Sequence, residues 1–165
     1  MANNIHITAS KCTGCMTCEV ACSFAKEQIF RTVHSRIRVF DFIADQGRFV
    51  PYTCTQCSGA WCAEACPVDA ISLDPGTQAW IISDIKCTGC RACTLACPFG
   101  TISHNSTVGK AQKCDLCGGN PACVEACPTD ALTFVPDESM GYDKMRHWAA
   151  ALAQSETAAT GAEQG

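Results

Sequence analysis

The sequence predicts an α+β fold of short helices and β-hairpins, and three observations lead there. Sixteen of the 165 residues are cysteine, and they fall into four groups of four with none left over. Each group closes on Cys-x3-Cys, a spacing that suits a single short helix. Between the groups lie short apolar runs bounded by Gly, Pro and Asp, the pattern of paired strands.

The first group is Cys12, Cys15, Cys18 and Cys22, followed by Ser23. The second is Cys54, Cys57, Cys62 and Cys66, with SGAW in its middle gap and Pro67 after it. The third is Cys87, Cys90, Cys93 and Cys97, then Pro98. The fourth is Cys114, Cys117, Cys123 and Cys127, with GGNPA in its middle gap and Pro128 behind. Three closely spaced cysteines wrap one face of an iron–sulfur cubane, while the fourth sits on a helix that points away. In two-cluster ferredoxins that fourth cysteine ligates the other cluster, and the proline redirects the chain. Disulfides suit neither the repeated two-residue gaps nor a reducing compartment. Zinc uses two Cys-x2-Cys hooks and would leave half of every group unexplained.

The segment between groups two and three predicts a strand over Ala70–Leu73, a turn at Asp74-Pro75-Gly76 and a strand over Ala79–Ile82. RIRVFDFIADQGRFVPY, between groups one and two, reads as a hairpin about Gly47. PFGTISHNSTVGKAQK, between groups three and four, is polar and reads as a loop. With Ser23 in place of proline, the helix carrying Cys22 is free to run on through Phe24–Phe30. Near the C-terminus, Ser139 is a candidate helix cap, with Met145, Trp148 and Leu152 along one face. The low-complexity SETAATGAEQG that follows is expected to be disordered.

Two pairings of the groups are open. Nesting joins two with three and one with four. It gives the ligand sets Cys54, Cys57, Cys62, Cys97 and Cys66, Cys87, Cys90, Cys93, then Cys12, Cys15, Cys18, Cys127 and Cys22, Cys114, Cys117, Cys123. Sequential pairing, one with two and three with four, is the rival. Nesting is favoured because the linker between groups two and three is the one expected between the halves of a ferredoxin. It defines an inner unit over about 51–104, an outer unit from about 1–30 plus 105–135, and a tail over 136–165.

These groups, their middle gaps and the first group's missing proline resemble the four-cluster electron-transfer subunits of molybdenum and tungsten oxidoreductases. The resemblance spans about residues 5–135. It implies tandem, nested, pseudo-two-fold ferredoxin-like units holding four [4Fe-4S] clusters, and it favours the nested pairing. It also implies a hetero-oligomer with a catalytic subunit carrying a tungsten- or molybdenum-pterin, of the aldehyde oxidoreductase or formate dehydrogenase type. A flavin- or NAD-linked subunit or a ferredoxin would serve as the second redox partner.

Composition narrows the function further. The formal charge of −4 becomes about −12 once four clusters of about −2 are added, and no basic face is evident, so nucleic acid is not an expected partner. No run of about eighteen apolar residues and no export signal is visible, so a cytoplasmic protein without a membrane span is expected. No nucleophile–base pair, phosphate loop or flavin motif stands out, so the chain reads as a conductor of electrons and not as an enzyme. The alternatives are a freely diffusing polyferredoxin and the iron–sulfur subunit of a nickel hydrogenase or carbon monoxide dehydrogenase system. Lys11, Lys86 and Lys113 each precede a group and could offset cluster charge or lie solvated in loops. Trp61 and Trp80 read as packing residues that could shield a cluster. His6, His34, His104 and His147 stand outside the groups and receive no ligand role.

Overall fold

The computed structural model describes residues 3–136; the C-terminal helix expected around Met145, Trp148 and Leu152 lies outside the described residues. Within that span, eight strands form four separate two-stranded antiparallel sheets. β1 (Asn3–Ile7) pairs with β8 (Leu132–Pro136), so the two ends of the described chain meet. β2 (Ile37–Phe42) pairs with β3 (Arg48–Thr53), β4 (Ile71–Leu73) with β5 (Trp80–Ile82), and β6 (Ser103–Asn105) with β7 (Lys110–Gln112). The α-helices among the described residues are α1 (Thr17–Glu27), α2 (Ile43–Gln46), α3 (Trp61–Glu64), α4 (Ala92–Ala96) and α5 (Ala122–Glu125).

The turns are where local chemistry decides. β4 and β5 each start one residue later than the sequence suggests. Their connection folds over Asp74, whose carboxylate accepts from Thr77 N at 2.8 Å and Thr77 Oγ1 at 2.6 Å. The hairpin about Gly47 forms in register, Ile37 opposite Thr53 and Phe42 opposite Arg48. Its connection is the single helical turn α2, closed by Gly47 at φ 64°, a conformation glycine adopts without strain.

The linker between groups three and four is not the loop that its polarity suggested. It folds as the β6–β7 hairpin, whose turn is held by Asn105: its side-chain oxygen accepts from Thr107 N at 2.9 Å. Lys110 Nζ then ties the hairpin to group three by donating to the carbonyls of Cys87, at 2.9 Å, and Asp84. Three-residue strands of mixed polarity carry too little alternation to be read from sequence.

Helix α1 does pass through Ser23, but it stops at Glu27, short of Phe30. Gln28 turns left-handed (φ 56°), and the chain folds back so that Phe30 stacks on Phe24 with ring centroids 4.5 Å apart. Ser23 is fully buried, and its hydroxyl donates to Val20 O at 2.9 Å. In the other three groups the helix ends before or at the last cysteine. The chain then turns through Cys-Pro-x-Asp or Cys-Pro-x-Gly, with Asp69, Gly100 and Asp130 at positive φ. Proline therefore marks a stop followed by a left-handed turn, and serine marks a helix that continues.

Few aliphatic side chains make the core. Ile5, Ile37, Leu116 and Leu132 are buried together with Cys18, Cys22, Cys54, Cys114 and Cys123. A second cluster gathers Ile71, Ile102 and Ala111 about Cys93. Helix α1 packs on α5 and α3 packs on α4, which sets group one against group four and group two against group three. Among the described residues no helix is long and apolar enough to cross a membrane.

Proline at position 23 would delete a backbone donor and clash inside α1, a cost of about 3 kcal/mol. Ser23→Pro is expected to lower the denaturant midpoint of the anaerobic holoprotein accordingly, while Pro98→Ser has a much smaller effect.

Candidate metal centres

The first Cys-x2-Cys turn of each group has a left-handed residue before its second cysteine: Gly14 (φ 71°), Gln56 (φ 49°), Gly89 (φ 72°) and Leu116 (φ 56°). Two of these positions also admit no side chain. A Cβ on Gly14 would lie 2.5 Å from the Phe49 ring, and one on Gly89 would strike the Gly109 carbonyl. The turns thereby present their thiols inward, and the short helices deliver the remaining cysteines from across the fold.

Four cavities result, each lined by four cysteines. Cys54, Cys57, Cys62 and Cys97 line one; Cys66, Cys87, Cys90 and Cys93 line another. Cys22, Cys114, Cys117 and Cys123 line a third, and Cys12, Cys15, Cys18 and Cys127 a fourth. Every group thus sends three cysteines to one cavity and its last to another. All sixteen are free thiols. Among the described residues no three Cys, His, Asp or Glu side chains converge on one point as a single ion would need. None of the described histidines lines these cavities.

Burial pushes the Cys18 thiol up to about 12 and the Cys114 thiol up to about 11, and it raises Cys123 further in the same direction. Bare thiolates would be costly there, whereas a positively charged iron core stabilises them and displaces the protons. Other thiols are held down. At Cys97 burial pushes the thiol up, but the Thr101 hydroxyl and the amides of Thr101, Phe99 and Gly100 outweigh it. At Cys127 the amides of Thr129, Leu132 and Ala131 likewise prevail over burial. Backbone N–H groups reach sulfur as well: Arg36 N donates to Cys22 Sγ and Ala70 N to Cys66 Sγ, each at 3.3 Å.

One polar atom tests what the cavities suit. Arg36 Nε is buried without a partner, and Arg36 lines the cavity of Cys22, Cys114, Cys117 and Cys123. An unmet buried donor on a residue of that wall fits a sulfide- and thiolate-bearing group. The rest of that wall is paired: Asp115 binds Lys26 Nζ at 2.7 Å and Arg36 at 2.9 Å. Burial works against the Asp115 carboxylate, but these two cations hold it below its ordinary range.

Comparison with known proteins agrees with this chemistry. Residues 46–137 match the 4Fe-4S dicluster domain family, and residues 4–67 match a second family of the same description. The chain belongs to the 4Fe-4S dicluster proteins. Two dicluster matches and sixteen cysteines in four sets make it a carrier of four [4Fe-4S] clusters. The polyferredoxin-like subunit of aliphatic sulfonate oxidoreductase from Pyrococcus furiosus is 47% identical over 79% of this chain and 76% of its own length. The putative electron transport protein YsaA of Escherichia coli K12 is 42% identical over 84% of this chain and 92% of its own. The B subunit of the anaerobic dimethyl sulfoxide reductase of the same organism is 34% identical over 81% of this dicluster protein and 73% of its own length.

The three lysines before the groups part company. Lys11 and Lys86 are exposed, whereas Lys113 is 3% exposed and lines the cavity of Cys54, Cys57, Cys62 and Cys97. Trp61 and Trp80 line the same cavity; Trp61 is half exposed, and Trp80 Nε1 donates to Cys57 O at 3.0 Å. Sequence reasoning missed Arg36 and Asp115 altogether. The only available signal was an acidic residue inside a Cys-x2-Cys turn, and its basic partners lie 79 and 89 residues away.

Asp115→Ala leaves two largely buried cations without their shared acceptor, a loss of about 1–3 kcal/mol. Denaturant unfolding of the anaerobic holoprotein is expected to show that loss.

Proposed function

We propose that the chain is the electron-transfer subunit of a multi-subunit oxidoreductase whose catalytic partner carries a tungsten- or molybdenum-pterin. Bound in the cavities, the clusters would supply one-electron uptake and release. The sixteen cysteines are the ligands in four nested sets: Cys54, Cys57, Cys62, Cys97; Cys66, Cys87, Cys90, Cys93; Cys12, Cys15, Cys18, Cys127; and Cys22, Cys114, Cys117, Cys123. The inner unit is then about residues 51–104 and the outer unit about 1–30 plus 105–135.

The observation that carries this reading is the way the four groups share the four cavities. Groups one and four share two of them and groups two and three share the others. The two pairs approach each other at Thr53, Cys54 and Cys114, where the Cys54 charge acts on the Cys114 thiol. The resulting order runs from the Cys12 set through the Cys22 set and the Cys54 set to the Cys87 set. Both exposed cysteines, Cys15 and Cys90, belong to the two end sets, where partners would hand electrons on and off. Sixteen cysteines committed to cluster ligation suit a reducing compartment, and we place the protein in the cytoplasm. The relatives named as oxidoreductase subunits support the same role.

Two measurements test it. Tagged protein purified without oxygen from its own cells is expected to bring down a large partner containing tungsten or molybdenum. Nickel instead would move the chain to a hydrogenase or carbon monoxide system, and iron alone with no partner at any salt would leave a free polyferredoxin. Nesting has its own test by electron paramagnetic resonance. Cys22→Ser is expected to disturb the same signal as Cys117→Ser, and Cys66→Ser the same signal as Cys90→Ser. A shared signal for Cys22→Ser and Cys57→Ser would favour sequential pairing.

A further inference from the structure

Lys113 is a buried cation without a carboxylate. Its Nζ donates to Gln56 Oε1 at 3.2 Å, to Cys114 O at 2.9 Å and to Trp80 O. These acceptors are all amide oxygens, which cannot donate in return. Three acceptors match the three protons of a lysine ammonium. None of the ion pairs among the described residues includes Lys113. An unpaired buried charge is costly and calls for a counter-charge nearby. The cavity of Cys54, Cys57, Cys62 and Cys97, which Lys113 lines, has no acidic residue in its wall.

The other three cavities differ. The walls around Cys12, Cys15, Cys18 and Cys127 carry no charged side chain. Those around Cys66, Cys87, Cys90 and Cys93 carry only Arg91, which is exposed. Around Cys22, Cys114, Cys117 and Cys123 the cations Lys26 and Arg36 share Asp115. Lys113 also stands where the two units meet: it begins group four while holding Gln56 of group two and Trp80 of β5. Gln56 reinforces the joint, accepting from Trp80 N at 3.0 Å and donating to Cys114 O at 2.8 Å.

We propose that Lys113 is a potential-setting residue of the relay. It is a permanent positive charge at the junction of the two units that raises the reduction potential of the centre held by Cys54, Cys57, Cys62 and Cys97. The inference rests on the reading that this cavity holds a [4Fe-4S] cluster. One added electron takes the charge there from about −2 to about −3, and a fixed cation favours the more negative state. The electron comes from the redox partner, and no proton moves because Nζ already carries its full complement. Lys11 and Lys86, exposed to water, have no such effect.

The test is a mediated redox titration of the anaerobic full-length holoprotein, with dithionite as reductant and electron paramagnetic resonance as readout. Lys113→Gln is expected to lower the midpoint of one signal, the one Cys62→Ser disturbs. At a fixed poise its reduced-to-oxidised ratio should fall at least about tenfold, the effect of a unit charge even about 12 Å away at an effective dielectric near 20. Lys113→Arg should restore the midpoint, and Lys11→Gln and Lys86→Gln should leave all signals in place. Gln56→Glu, which sets a carboxylate against the ammonium while keeping Lys113, should lower the same midpoint and covers the case in which Lys113→Gln does not fold. Unchanged midpoints in a fully loaded Lys113→Gln or Gln56→Glu protein, or an equal shift with Lys113→Arg, overturn the proposal. A wild-type protein with far fewer than about sixteen iron atoms would sink the cluster reading itself.

Discussion

In every group three cysteines and the fourth serve different cavities, and the rest of the fold is arranged around that division. A turn of Cys-x2-Cys type can surround only one side of a cavity, and the last side comes from the final cysteine of another group, Cys22 within α1 and Cys66, Cys97 and Cys127 just past their helices. Helices α1 and α5, and α3 and α4, are therefore held in contact. The four small sheets fix where the turns stand. With so few buried aliphatic residues, the packing energy of the polypeptide alone is modest for its length, and the inorganic groups belong to the core as much as the isoleucines do.

Burial and charge then compete at the sulfur atoms. Desolvation raises the thiols of Cys18, Cys114 and Cys123, and the same low polarity disfavours the extra electron of a reduced cluster. Amide and hydroxyl donors around Cys97 and Cys127 oppose that tendency, as do the cations Lys26, Arg36 and Lys113. The balance differs from cavity to cavity, so chemically identical centres stand in different electrostatic surroundings.

The sequence made the cavities legible because their spacing is local: a Cys-x2-Cys turn and a Cys-x3-Cys helix are readable within ten residues. The β4–β5 and β2–β3 hairpins were legible for the same reason, as alternation flanking a turn. The β6–β7 hairpin was not, since its strands span three residues each and lean on Lys110 and Asn105 for their shape. The β1–β8 pair escaped notice because its partners stand at opposite ends of the described chain. Nor could sequence separate Lys113 from Lys11 and Lys86. All three occupy the same place before a cysteine, and only the meeting of Gln56, Trp80 and Cys114 around one of them decides which is buried. The reach of α1 was overestimated by three residues because Gln28, an ordinary helix former, adopts the left-handed turn there.

The joining of β1 to β8 bears on the order in which the molecule is made. The contacts that bring group two to group three span less than half the stretch of chain that separates group one from group four. Closing the longer loop costs only about 1 kcal/mol more, because the entropy grows with the logarithm of length. The nested plan is thus cheap at equilibrium yet strict in time. Emerging from the ribosome, groups two and three have all their residues available while strand β8 is still unwritten, and the β1–β8 pair closes only after them.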